Sequence, residues 1–247
     1  MSLLNDAALA EATRAIDLAG VFANAVLGGV VAARARLDPV GFVALAVISG
    51  TGGGLIRDTL LQHGTPVALT DYAYLLTALA GAGLAYLLRV EGGGWHRVLM
   101  AVDAAAIGCW AVAGAQKTLE VGLGWLPALL LGTITAVGGG VTRDVLMRRV
   151  PSIFGGNEIY AIAALAASAV VVAVTRLGLP SAGVIGGIAV GTGLRLLAMR
   201  YGWTLPRGRV GVPDLTGGRR AVRSWRAGMR STRFRAGRRS RRDGSDR

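Results

Sequence analysis

Residues 50–58 read GTGGGLIRD and residues 136–144 read AVGGGVTRD. Each copy sets three glycines ahead of an Arg-Asp pair, inside an apolar stretch. A phosphate-cradling loop also runs glycines into a helix start, but it needs Lys-Ser/Thr behind the last glycine and a soluble strand in front. Here Leu55-Ile56 and Val141-Thr142 follow instead, which removes that reading. A shift of 86 residues takes Gly52, Gly53, Gly54, Arg57 and Asp58 onto Gly138, Gly139, Gly140, Arg143 and Asp144. The same shift takes Asp17 to Asp103, Gly28 to Gly114, Asp71 to Asn157 and Tyr74 to Tyr160. The motif is one copy of a longer internal repeat.

The surroundings are a membrane composition. Of 247 residues, 53% are hydrophobic and 17% charged, with mean hydropathy +0.52, too apolar for a soluble domain of this length. A bilayer span needs about 20 mostly apolar residues. Seven stretches qualify: roughly 15–33, 40–61, 70–88, 97–119, 125–147, 158–176 and 181–200. Asp38-Pro39 has the form of an N-cap with proline at the first helical position and starts the second span. EGGGW at 91–95, LGWLP at 123–127 and GLPSAG at 178–183 separate later spans. The N-terminus has no basic region ahead of its first apolar run, so that run is expected to remain as a span. Cys109 is the single cysteine and cannot form an internal disulfide.

Basic residues orient the chain, because cytoplasmic loops carry the excess of Lys and Arg. Formal net charge is +13, and residues 202–247 hold 14 Arg against Asp214, Asp243 and Asp246. With that tail inside, Arg34/Arg36, Arg89/Arg97 and Arg148/Arg149 are cytoplasmic, and the far side receives only Arg14, Lys117 and Arg176. The N-terminus is then outside and the C-terminus cytoplasmic. The motif matches fall in three successive spans, and three is odd. The second copy therefore enters the membrane in the opposite direction, giving an inverted-topology repeat, an architecture common in transporters. The expected fold is an all-α integral membrane protein: an N-terminal segment 1–14, repeat 1 at 15–90, repeat 2 at 91–177, a seventh span at 178–201, and a disordered tail at 202–247.

Gly52–Gly54 lie about 14 residues into their span, roughly 20 Å at 1.5 Å per residue, somewhat past the midplane of the hydrocarbon core. Each glycine weakens a helix by about 1 kcal/mol relative to alanine. Two explanations are compatible: the triplets let helices approach closely, or they kink or unwind the second and fifth spans beside a polar path. Arg57, Asp58, Arg143 and Asp144 point to the path, since a charge at the centre of a span costs about 2.5–3.5 kcal/mol on insertion scales. Their depth also lets both arginines snorkel toward an interface. Neighbours on a helix diverge by about 100°, so each pair is expected to need partners on another helix. Asp17 and Asp103, near the start of the first span of each repeat, are the candidates. A purely structural set of salt bridges is the competing reading. If all six line one path, two positive and four negative charges favour cations.

Elsewhere the bland readings prevail. Gly183, Gly187 and Gly191 have GxxxG-like spacing and suggest close packing of the seventh span, and Arg195 is expected to snorkel to the inner interface. His63 and His96 have no partners at metal-ligand spacing. Trp95, Trp125 and Trp203 are interfacial anchors. In the tail, Arg219, Arg220, Arg223, Arg226 and Arg230 offer electrostatic attachment to anionic lipid, about 1 kcal/mol per base near the surface. Nucleic acid binding is not expected beside seven spans.

Two GGGxxRD motifs, each on the second helix of a three-helix repeat, the second continuing as RDVLMRRVPSIF, resemble the prokaryotic members of the trimeric intracellular cation (TRIC) channel family over residues 14–200. The resemblance implies a seven-helix subunit in a homotrimer, with a separate pore in each subunit between the kinked second and fifth spans, conducting K⁺ and Na⁺. It makes Gly52–Gly54 and Gly138–Gly140 the kink glycines and Arg57 and Arg143 the basic residues that follow them. The lysine-containing motifs of the animal members are missing here, so their lipid regulation is not carried over, and the Arg-rich tail lies outside the resemblance. The expected function is a homotrimeric monovalent cation channel in a prokaryotic inner membrane, with no cofactor beyond the permeating K⁺ or Na⁺. A secondary transporter of a small solute such as an amino acid is the alternative, and a non-conducting scaffold is the third class. No nucleophile, base or metal cluster stands at a spacing an enzyme could use.

Overall fold

Small residues decide which surfaces of these helices face inward. In the computed structural model, which describes residues 2–88, 93–154 and 159–203 without the side chains of 2–7 and 93–96, the core is dominated by alanine, glycine and valine, among them Ala25, Ala78, Ala111, Ala163 and Ala167. Large apolar groups such as Leu76, Tyr86, Leu126 and Ile185 point outward. This distribution suits a bilayer, where helices gain from close approach rather than from withdrawing leucine from water.

The described residues form α1 (Ser2–Arg34), α2 (Pro39–Leu61), the one-turn α3 (Val67–Thr70), α4 (Tyr72–Leu87), α5 (Gly93–Glu120), α6 (Trp125–Leu146), α7 (Tyr160–Arg176) and α8 (Pro180–Tyr201). Helices α1, α2, α5, α6 and α8 are long and apolar enough to cross a membrane. Helices α4 and α7 have 16 and 17 residues, about 24 and 26 Å at 1.5 Å per residue. Each is the third helix of its repeat, so both copies are short in the same place. Helix α1 starts well before the predicted first span.

The repeat is visible in the backbone. Helix α1 packs on α2 and α4 as α5 packs on α6 and α7, and α2 meets α4 as α6 meets α7. Left-handed residues recur at the same interval: Arg36 (φ 54°) and Gly122 (φ 86°) close the first helix of each copy, and Gln62 (φ 49°) and Arg148 (φ 54°) follow the second. The copies join through α1 with α5 and α2 with α6. One cap is not duplicated. Asp38 accepts a 2.7 Å hydrogen bond from the Gly41 amide ahead of Pro39, whereas Gly124 stands at the equivalent position of α6 without a side-chain cap.

Helix α8 lies outside the repeat and packs on α5 and α7. Gly187 sits over the Ala167 carbonyl and Gly191 against the Gly108 Cα, where added Cβ atoms would stand 3.0 and 3.1 Å away. The small residues of the seventh span thus serve packing within the subunit.

Candidate functional site: a glycine crossing between two buried charge clusters

Helices α2 and α6 cross at the two triplets. A Cβ on Gly53 would collide with the Thr135 carbonyl oxygen, and a Cβ on Gly139 with the Ser49 carbonyl oxygen. Residues 49 and 135 are themselves related by the 86-residue shift, so the two contacts are mirror copies of each other. As the numbering rises along α2 it falls along α6, so the helices run antiparallel, as inverted repeats require. Gly138 faces the Gly53 Cα, 3.0 Å from an added Cβ, and Gly52 faces the Gly139 Cα at 3.5 Å. The backbones touch, and the crossing is closed. Helical structure continues through both triplets, so neither helix is unwound there. Close packing, rather than a released backbone, is the work of the first two glycines.

The third glycine of each triplet has a different neighbour. A Cβ on Gly54 or Gly140 would meet an arginine Nη2 at 3.7 Å, that of Arg57 or Arg143. Each guanidinium folds back over its own helix at ordinary van der Waals distance from that position. Each arginine reaches the next residue despite the 100° divergence, and the first pair also takes the partners on other helices that the divergence predicts. Arg57 Nε donates to Asp58 Oδ1 at 2.7 Å and Arg143 Nε to Asp144 Oδ1 at 3.0 Å. The second oxygen of each aspartate ties down the segment that follows: Asp58 Oδ2 accepts from the Val67 amide at 3.0 Å, and Asp144 Oδ2 from the Ser152 amide at 3.2 Å. The GGGxxRD pattern is thus a unit: glycines against the partner helix, and an aspartate that holds both arginine and loop.

Partners from other helices complete two clusters. Arg57 Nη1 donates to Asp17 Oδ2 at 3.1 Å, the Tyr74 hydroxyl donates to the same oxygen at 3.0 Å, and Lys117 Nζ donates to Asp58 Oδ1 at 2.8 Å. With 1% of its side chain exposed, Arg57 does not snorkel. In the second cluster the Tyr160 hydroxyl donates to Asp103 Oδ1 at 3.2 Å, and the basic partner of Asp103 is Arg195 of α8, 3.7 Å away. Arg195 also lies over the Tyr160 ring at 4.9 Å. It is buried, which corrects the expectation that it snorkels: Asp103 supplies the counter-charge that an interface otherwise would.

Lys117 and Arg195 also overturn the charge sum. Among the described residues each cluster holds two acids and two bases, so four positive groups face four negative ones there. The facing pairs Gly53/Gly138 and Gly52/Gly139 put Arg143 level with residue 48 of α2, which separates the two arginines by roughly 14 Å along the helices. Trp110, fully buried, fills the space between them. Its Nε1 donates to the Asp17 carbonyl at 3.2 Å and its ring lies against Gly20, Gly53 and Gly139.

Sequence reasoning missed Tyr74 and Tyr160 as site residues, although their recurrence at 86 residues was visible. Lys117 and Trp110 gave no such signal, because Val31 and Asn24 hold the matching positions. Among the described residues no group of His, Cys, Asp or Glu is arranged to hold a metal ion. A cleft of about 730 Å³ opens on the far side of repeat 1, lined by Val30, Leu37, Phe42, Leu79 and Tyr86 with Arg34 at its rim. It is apolar and apart from both clusters. Asn157 and the tail residues Arg219, Arg220, Arg223, Arg226 and Arg230 lie outside the described residues, as do the side chains of Trp95 and His96.

Comparison with known proteins finds the same repeat. A family model described as "Glycine transporter" matches twice, at residues 14–90 and 100–176, which are again 86 residues apart. A TRIC trimeric intracellular cation channel orthologue from Rhodobacter sphaeroides superposes with a TM-score of 0.73 at 32% identity, covering 77% of this chain and 98% of that one. This chain belongs to the TRIC family. Its relatives include a UPF0126 membrane protein of Deinococcus radiodurans, 36% identical over 69% of this chain and 80% of that protein. Another is the UPF0126 inner membrane protein YadS of Escherichia coli K12, 34% identical over 61% and 72%. A further solved structure, described under conductance through TRIC cation channels, gives a TM-score of 0.72 at 30% identity over 80% and 97%. This TRIC protein is therefore an all-helical, multi-pass membrane protein from a family of ion channels, not an enzyme.

Proposed function

We propose that the chain is a homotrimeric channel for K⁺ and Na⁺, with one path per subunit between α2 and α6. The observation that supports this reading is the glycine crossing flanked by a buried charge cluster on one side and a part-buried one on the other. Buried charge is retained in spans where it serves a pathway. When the two helices part, the surfaces they uncover carry the Ser49 and Thr135 carbonyls together with the hydroxyls of Ser49, Thr135 and Thr142. These oxygens present partial negative charge to an ion that has shed water, and this, rather than a net acidic lining, favours cations. Asp17, Arg57, Asp58, Asp103, Arg143 and Asp144 flank the crossing, and the glycines Gly52–Gly54 and Gly138–Gly140 form its hinge surfaces. In this reading the N-terminus is outside and the C-terminus cytoplasmic, and the tail arginines bind anionic lipid by charge alone.

Purified protein in planar bilayers under a KCl gradient is expected to give unitary currents whose reversal potential lies on the cation side. Saturable solute uptake without unitary currents contradicts the channel and supports the transporter reading, to which the family model's description points. Removing residues 207–247 is expected to weaken binding to anionic vesicles, and unchanged binding removes the lipid role of the tail.

A further inference from the structure

The two charge clusters are related by the repeat, yet their arginines are held differently. Arg57 is gripped by two carboxylates, Asp17 at 3.1 Å and Asp58 at 2.7 Å, with 1% of its side chain exposed. Arg143 is gripped by its neighbour Asp144 at 3.0 Å and is 13% exposed. The Asp103 carboxylate, which symmetry assigns to Arg143, faces Arg195 instead. Tyr160 accounts for Asp103's other oxygen and stacks beneath the Arg195 guanidinium, so Asp103 is turned toward α8. Helix α8 has no counterpart in repeat 1, and Asp17 therefore has no competitor for Arg57.

We propose that Arg195 is a positioning residue: by occupying Asp103 it leaves Arg143 loosely held at the crossing, and so makes the repeat 2 side the one at which the path opens. The proposal rests on the channel reading given above. Its physical content is a competition between two guanidinium groups for one half-buried carboxylate, in a setting where leaving a charge without its partner is strongly destabilising. Without Arg195, Arg143 takes the Asp103 carboxylate as Arg57 takes Asp17. Both arginines are then doubly tied and the crossing stays shut.

The test compares Arg195→Gln, Arg195→Lys and the double variant Arg195→Gln with Asp103→Asn in planar bilayers. Arg195→Gln is expected to lower open probability by roughly 2- to 30-fold, the span of couplings transmitted through such networks. Lysine at 195 and the double variant are expected to restore it. A double variant as impaired as Arg195→Gln, or an Arg195→Gln channel with unchanged open probability, overturns the proposal. If Arg195→Gln does not assemble, the double variant, which leaves neither charge unpaired, decides alone: normal gating supports the competition and low open probability refutes it. A melting cycle in detergent separates this proposal from the channel reading. Arg143→Gln is expected to lower the Tm further in the Arg195→Gln background than in the wild type, whether or not currents are seen. Equal losses in the two backgrounds refute the competition.

Discussion

The glycines of the GGGxxRD motif are unequal, and a substitution series separates those in contact with the partner helix from the one that is not. Alanine at Gly53 or Gly139 drives a Cβ into a backbone carbonyl of the partner helix, and neither helix can yield without moving the whole crossing. A loss of about 1–3 kcal/mol, the usual cost of overpacking, is expected in thermal unfolding of either variant. Alanine at Gly54 meets only the end of the Arg57 side chain at 3.7 Å, and is expected to be neutral or stabilising by up to about 1 kcal/mol from helix propensity. Equal effects at Gly53 and Gly54 would show that the triplet acts through flexibility alone. Among the charges, Arg57→Ala leaves Asp17 and Asp58 buried without their shared partner. A loss of about 3–5 kcal/mol is expected, seen as failure of the protein to survive detergent extraction at temperatures the wild type tolerates. Most of this motif was legible, because three glycines and an intramembrane Arg-Asp pair are each costly alone and their recurrence at one interval ties them together. What was not legible was who completes the pairs. Lys117 and Arg195 lie outside the register of the repeat, so their basic charge could be counted but not placed, and the four-to-two charge sum followed from that omission.

Among the helices, the ends were more readable than the middles. Asp38-Pro39 announced the start of α2, and the structure has the cap with its 2.7 Å bond. Asp38→Ala is expected to cost about 0.5–2 kcal/mol in a melting experiment, with no comparable site to lose at Gly124. The left-handed turn that ends α5 offers a complementary check. Nothing surrounds Gly122 within 4 Å of an added Cβ, so the cost of Gly122→Ala is that of its φ alone, about 1–2 kcal/mol. Break and crossing, by contrast, look alike in sequence: a glycine triplet predicts a weak helix, and only the opposing carbonyls of Ser49 and Thr135 show that the weakness is used for contact. Helix α8 is the least legible element, since its glycines report packing without naming the partner and nothing near Arg195 in the sequence points to Asp103, its counter-charge in the fold.

For the whole molecule, inversion explains why the chain places one motif twice. Two copies entering from opposite sides bring their glycines together at one level and carry their charges apart, roughly 14 Å along the helices. A closed crossing with a charge cluster on each side is the state described, and α8 is the addition that makes the two sides unequal. The proposed ion path lies between α2 and α6, with Arg143 on the side where the charged residues are less firmly held. Single-channel recording of Arg143→Ala beside the wild type tests that placement most directly. Altered unitary conductance or open probability, with the oligomer intact by light scattering, is the predicted result. Unchanged unitary currents from the assembled variant would contradict it and move the path elsewhere in the molecule.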